Sequence, residues 1–182
     1  MNYRRNYVPG GTYFFTVVTA SRRHILTSPS ARAMLRKAIK DELAESPFEQ
    51  VAFVLLPDHF HTIWTLPPED DRYSKRMMRI KDAFTKAYLA GGGTEAYCSP
   101  SKIRKGERGV WQSRFWEHTV RDDDDFKRCL DYIHWNPVKH GYASRPCDYP
   151  WSTFRKFVRL GEYEPEWGTG IVMNDVPGAE WE

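Results

Sequence analysis

Between Gln50 and Leu66 the chain passes through two apolar, strand-type runs separated only by Pro57-Asp58, and the second run opens on His59-Phe60-His61. Side chains alternate along a strand, so His59 and His61 project from one face and Phe60 from the other. Two imidazoles side by side on a rigid strand can hold one divalent metal. They can equally be ordinary residues, packed or hydrogen-bonded on a half-buried face, and for an isolated His-x-His that is the commoner case. The metal alternative gains weight because the surrounding face is otherwise apolar, where an uncompensated imidazole is costly.

The rest of the chain supplies partners for this strand. Gly10-Gly11 closes an N-terminal arm, and Thr12 to Thr19, β-branched and aromatic, predicts another strand. Ser28-Pro29 opens a helix through about Ala44, with Ala31, Leu35, Ile39 and Leu43 at helical spacing. A second helix from about Tyr73 to Leu89 carries Met77, Ile80, Phe84 and Tyr88 on one side, and Gly91-Gly92-Gly93 stops it. The polar, basic stretch to Gly109 reads as a mobile loop. Val110 to Val120 predicts a further strand, and Asp122 to Asp125 supply the cap and acidic first turn of a third helix. That helix is expected to end near Asn136-Pro137. The order β-α-β-β-α-β-α predicts an α+β fold, a ferredoxin-like antiparallel sheet with helices on one face. The expected domain spans residues 1–160, including the basic N-terminal arm, with an acidic C-terminal tail over 161–182.

Charge is segregated along the chain. Residues 1 to 40 hold eight Arg and Lys and no acid, and Arg72 to Arg114 hold eleven against Asp82, Glu95 and Glu107. After Leu160 the sign reverses, with Glu162, Glu164, Glu166, Asp175, Glu180 and Glu182 and no Lys or Arg. Exposed like charges repel, so such segregation points to a polyanionic partner, with nucleic acid the first candidate; solvated basic helix faces are the plain alternative for any one segment. The three cysteines have neither the even count nor the CxxC spacing of a disulfide or zinc framework. No run approaches the roughly 20 apolar residues of a membrane span, and the first residues lack a signal-peptide hydrophobic run. A cytoplasmic protein with no membrane partner is expected.

The third helix carries the second constellation. Phe126, Leu130 and Ile133 form its core side at about 100° per residue. Tyr132 and Asn136, four residues apart, share a strip at the edge of that face, with Asp125 and Cys129 close by. A tyrosine at a core margin is common as packing. The Asn136 carbonyl oxygen, however, can complete a His-His-amide site for a hard cation, one turn from the Tyr132 hydroxyl.

Several segments together resemble one family. They are Leu56-Pro57-Asp58-His59-Phe60-His61, Trp111-Gln112-Ser113-Arg114-Phe115-Trp116-Glu117-His118 and Asp131-Tyr132-Ile133-His134-Trp135-Asn136-Pro137-Val138-Lys139-His140-Gly141, with Asn2-Tyr3-Arg4-Arg5, Gly10-Gly11-Thr12 and Trp151-Ser152-Thr153-Phe154 in support. The chain to about residue 168 is similar to the REP-associated tyrosine transposases, single-tyrosine members of the HUH transposase superfamily. The resemblance implies that His59 and His61 hold a divalent ion, Mg²⁺ or Mn²⁺, and that Tyr132 is the nucleophile. It places Asn136 where the superfamily carries a third ligand, often the longer Gln, and leaves His118 and His140 as alternatives. It implies single-stranded DNA hairpins, formed by short palindromic repeats, as substrate, and a self-contained monomer.

The chemistry implied is metal-dependent cleavage and strand transfer through a 5′-phosphotyrosine. A phenol, with a pKa of about 10, is a poor nucleophile at neutral pH, so the phosphodiester has to be polarised and oriented. No Walker-type glycine loop is present and no ATP is required. For DNA binding the candidates are Tyr3, Arg4 and Arg5 in the arm, Arg22 and Arg23 after the first strand, and Lys102, Arg104, Lys105 and Arg108 in the basic loop. Trp111, Trp116 and Trp135 are candidates for base stacking or for the core. The competing readings are a hairpin-binding protein that does not cut and an RNA-binding module.

Overall fold

The computed structural model describes residues 6–169. Strands β1 (Thr12–Val18), β2 (Glu49–Leu55), β3 (His59–Thr65) and β4 (Trp116–Thr119) form one sheet in the order β2-β3-β1-β4, with every neighbouring pair antiparallel. The helices are α1 (Pro29–Glu45), α2 (Tyr73–Ala90), α3 (Pro100–Arg104), α4 (Asp123–Lys139) and α5 (Phe154–Arg159). The α+β, ferredoxin-like sheet expected from the element order is present.

Helices cover both faces, however, and not one. Tyr13, Phe15 and Val17 of β1 and Phe60 and Trp64 of β3 meet Leu35 and Ile39 of α1 and Met77, Ile80 and Phe84 of α2. Phe14, Val54 and Ile63 point the other way, into a second core with Cys129, Tyr132 and Ile133 of α4 and Phe154 and Phe157 of α5. The two central strands, β1 and β3, are buried at nearly every position. A strand apolar on both faces needs cover on both, and α4 supplies the second layer.

Three boundaries differ from expectation. Helix α4 continues through Pro137 to Lys139, although that proline lacks the N–H of a regular helical bond. Trp135, Asn136 and Pro137 are buried, and the chain closes with His140 N donating to Asn136 O at 3.1 Å and Tyr142 N to Pro137 O at 2.8 Å, so packing outweighs the lost bond. The strand expected from Val110 is regular only from Trp116; upstream a single bridge joins Trp111 to Thr19. The basic loop is built rather than loose. It contains α3, capped by the Ser99 hydroxyl, and Arg23 clamps it through two 2.7 Å bonds to Thr94. Gly109 is required there, because a Cβ would lie 1.9 Å from Ala96 O.

The outer edge of β2 is covered by the chain before α5. Leu55 N donates to Trp151 O and Thr153 N to Phe53 O, both at 2.9 Å, and Phe53 N donates to Thr153 Oγ1 at 3.0 Å. Beyond α5 the chain returns, so that Tyr163 and Trp167 pack on Phe154 and Arg145 pairs with Glu166 at 3.0 Å. No helix of the described residues is long and apolar enough to cross a membrane.

Candidate active site

His59 and His61 lie on the α4 side of β3, with ring centroids 4.9 Å apart. Each has its Nδ1 engaged by a different neighbour. The His59 Nδ1–H donates to Asp58 Oδ1 at 2.6 Å, and Thr16, the cross-strand partner of His61 on β1, places Oγ1 2.9 Å from His61 Nδ1. Anchoring Nδ1 fixes each ring and leaves Nε2 as the ligating position, the usual outer support of a metal-binding histidine. Burial alone would raise the Asp58 carboxyl, but the hydrogen bond from His59 and then that from Arg22 outweigh it and hold the group at about 2. Asp58 therefore stays an acceptor for His59.

Helix α4 brings Tyr132 over this pair. Its ring stands edge-on to His61, with centroids 5.3 Å apart at 75°, and edge-on to Phe14 at 5.8 Å. Lys139 Nζ donates to Tyr132 Oη at 3.2 Å. Asn136 follows one turn after Tyr132 and is fully buried. The strip expected at the margin of the helix is thus pressed onto the sheet, because α5 and the returning chain cover the helix's other side.

The donor set suits a cation. His59 Nε2, Asn136 Oδ1 and Asn136 Nδ2 are all buried without a hydrogen-bond partner among the described residues. Buried polar atoms are rarely left so, and a cation would satisfy both the imidazole nitrogen and the amide oxygen. Of the two alternative ligands, His140 lies beside the pair, its ring 5.2 Å from that of His59. His118 is occupied elsewhere: its Nε2 lies 2.8 Å from Asp125 Oδ2, and its ring stacks on Trp116.

A second group, His118, Asp125 and Cys129, has ligand atoms within 4.8 Å of one another. It is a poor metal site. Asp125 is fully buried and its oxygens already accept from Arg121, Arg128 and His118. Burial, reinforced by the Asp125 charge, pushes the Cys129 thiol up to about 12, and a protonated thiol is a weak ligand. The cap and acidic first turn expected of Asp122 to Asp125 are present: Asp122 is the cap, its Oδ1 accepting from Asp125 N at 2.8 Å, and Asp123 to Asp125 fill the first turn.

The expected DNA contacts fall into separate groups. Tyr3, Arg4 and Arg5 lie outside the described residues. Arg22 faces the site, with Nη1 3.2 Å from Asp58 Oδ2, whereas Arg23 serves the loop clamp. Lys102, Arg104 and Lys105 are exposed on and after α3, and Arg108 pairs with Glu95. Trp111 and Trp135 belong to the interior, while Trp116 is half-buried. Sequence reasoning missed Thr16, the support given by Asp58, and Lys139. Asp58 was detectable as the carboxylate next to His59; Thr16 required the strand register.

Residues 7–136 match the family described as "Transposase IS200 like". Over most of its length the chain is also similar to curated relatives. It is 43% identical to the REP-associated tyrosine transposase of Escherichia coli (strain K12), covering 93% of this chain and 92% of that one. It is 41% identical to the putative REP-associated tyrosine transposase of Haemophilus influenzae, covering 92% and 93%. A solved REP-associated tyrosine transposase bound to a REP hairpin superposes with a TM-score of 0.76 at 38% identity, over 97% of this chain and 96% of that one. The chain belongs to the REP-associated tyrosine transposases and is a transposase.

Proposed function

We propose that this transposase is a metal-dependent single-strand endonuclease and strand transferase that acts in the cytoplasm on REP-type DNA hairpins through a 5′-phosphotyrosine. The observation that carries the reading is the edge-on contact of Tyr132 with His61, on a histidine pair whose Nδ1 atoms are both anchored. His59, His61 and Asn136 would hold the ion, Mg²⁺ or Mn²⁺. When bound, it supplies polarisation of a nonbridging phosphate oxygen and orientation of the scissile group.

The remaining work falls to the chain's own residues. Tyr132 Oη attacks phosphorus, the bond from phosphorus to the 3′ oxygen breaks, and the 3′ oxygen leaves as a hydroxyl carrying the proton the phenol gave up. Lys139, donating to Oη, holds that oxygen in place for attack and for its departure when the strand is rejoined. Asp58 and Thr16 keep the imidazoles from turning. Because both histidines, Asn136 and Tyr132 come from one chain, the arrangement supports a monomer. Residues 1–160 would carry the activity, with 161–182 as the acidic extension.

The test is cleavage of a labelled REP-type hairpin with Mn²⁺ and with chelator. Tyr132→Phe is expected to abolish the covalent protein–DNA adduct while hairpin binding survives. An adduct formed at wild-type rate by that variant overturns the reading.

A further inference from the structure

The turn that follows β1 is strained. Ser21 and Arg22 are consecutive and both left-handed, with φ of 54° and 49°, a conformation that L side chains seldom adopt even singly. Bonds on either side keep the turn from relaxing. Thr19 N donates to Asp58 O at 2.8 Å and the Thr19 hydroxyl to Arg23 O at 2.9 Å, Ala20 N donates to Val110 O at 2.9 Å, and Arg23 is clamped to Thr94. Leu26 N closes the far side on Pro57 O at 3.0 Å. Strain of this kind persists only where the surroundings impose it, and it gathers at functional sites.

What the turn places is the Arg22 guanidinium. Its Nη1 lies 3.2 Å from Asp58 Oδ2, while the other oxygen of the same carboxylate, Oδ1, takes the His59 Nδ1–H at 2.6 Å. Asp58 is buried and the Arg22 side chain is 52% exposed, so the pair runs from solvent to the imidazole. A carboxylate that accepts on one oxygen alone can swing about its own bond; held on both, it stays on the ring. The two adjacent arginines therefore have different tasks. Arg23 uses its guanidinium on the Thr94 clamp, and Arg22 uses part of its own to steady the support of a histidine.

We propose that Arg22 is a positioning residue for His59: the left-handed turn keeps its guanidinium on Asp58, and Asp58 in turn fixes the ring that presents Nε2 to the metal. The inference rests on the metal reading above in its last step alone, because the chain of contacts from Arg22 through Asp58 to His59 is complete without an ion. It also sets Arg22 apart from the basic residues expected to meet DNA. A residue that served only a phosphate would leave the His59 ring indifferent to its removal.

The test follows the His59 Nδ1 proton by NMR in the metal-free full chain, for the wild type, Arg22→Ala and Arg22→Lys. In Arg22→Ala its exchange with water is expected to quicken by about tenfold, the equivalent of one net hydrogen bond. Arg22→Lys should restore part of the protection. Mn²⁺ affinity, read by calorimetry, should fall by about tenfold in Arg22→Ala, the lower end of what an outer support contributes. Binding of a DNA hairpin by the metal-free chain should not change. Ser21→Gly, which can adopt the same turn without strain, should leave the proton in place and raise the melting temperature by about 2–4 °C. The proposal is overturned if the His59 proton is equally protected in Arg22→Ala, or if Ser21→Gly melts below the wild type. It is overturned as well if Arg22→Ala weakens metal-free hairpin binding and leaves the ring unchanged, which would make Arg22 a DNA contact. A wild-type chain that takes up no Mn²⁺ would count against the metal reading, and the proton exchange would still decide for or against Arg22.

Discussion

Lys139 and Tyr132 sit seven residues apart on α4, and the ammonium reaches back to the phenol: Nζ lies 3.2 Å from Oη and 4.9 Å from the ring centroid. A hydroxyl held this way cannot turn freely about its ring. Lys139→Met should slow single-turnover cleavage of a hairpin by about a hundredfold, the cost of misplacing a reacting atom by roughly an ångström. Hairpin affinity should be unchanged, and Lys139→Arg should recover part of the rate. Equal loss of rate and affinity would mean that Lys139 contacts DNA rather than the nucleophile.

Asp58 and Thr16 should reveal themselves through metal affinity before activity. Asp58→Asn weakens the acceptor for the His59 Nδ1–H, and Thr16→Val removes the oxygen beside His61. Each should weaken Mn²⁺ binding by about 10- to 100-fold, read by calorimetry. The donor set mixes imidazole nitrogen with an amide oxygen, so Mn²⁺ should bind more tightly than Mg²⁺, which prefers oxygen alone.

His134 should make the fold sensitive to acid. It is fully buried among Phe154, Phe157 and Tyr163, and burial holds its imidazole at about 3, below the ordinary 6.5. The unfolded chain takes up a proton below about pH 6.5 that the folded chain refuses until about pH 3. Stability is therefore complete above 6.5 and falls as the pH drops through this window. Between pH 7 and pH 5, where carboxylates stay ionised in both states, the loss should be about 2 kcal/mol. Urea denaturation of His134→Gln should show that part of the slope removed.

The group around Asp125 should behave as a structural ion cluster and not as a metal centre. Asp125→Ala removes a buried carboxylate and the hydrogen bonds it accepts, but its partners Arg121 and Arg128 reach solvent, so the loss should be about 1–3 kcal/mol. Chelator should leave the melting temperature of the wild-type chain unaffected through this cluster. A Cys129→Ser chain that loses one equivalent of bound metal would contradict this.

What could be read in advance was whatever short-range periodicity controls. The shared face of His59 and His61 follows from the two-residue repeat of a strand, and the pairing of Tyr132 with Asn136 from the turn of a helix. Neither period says which residue of another element will arrive opposite. Thr16 reaches His61 only through the antiparallel register of β1 and β3. The second helical layer depended on how thoroughly β1 and β3 are buried, which the Thr and His residues interspersed along them conceal. Pro137 is the clearest case of context prevailing: a residue that ends most helices is carried inside one because its neighbours are buried on every side.

The short segment from Trp151 to Thr153 has a consequence of another kind. By meeting the outward N–H groups of Phe53 and Leu55 and the Phe53 carbonyl, it leaves the long margin of the sheet with little to offer a second copy. The opposite margin, β4, is only four residues long. A sheet closed in this way resists growing by addition of strands from its neighbours, which guards a concentrated solution of the protein against fibrous association.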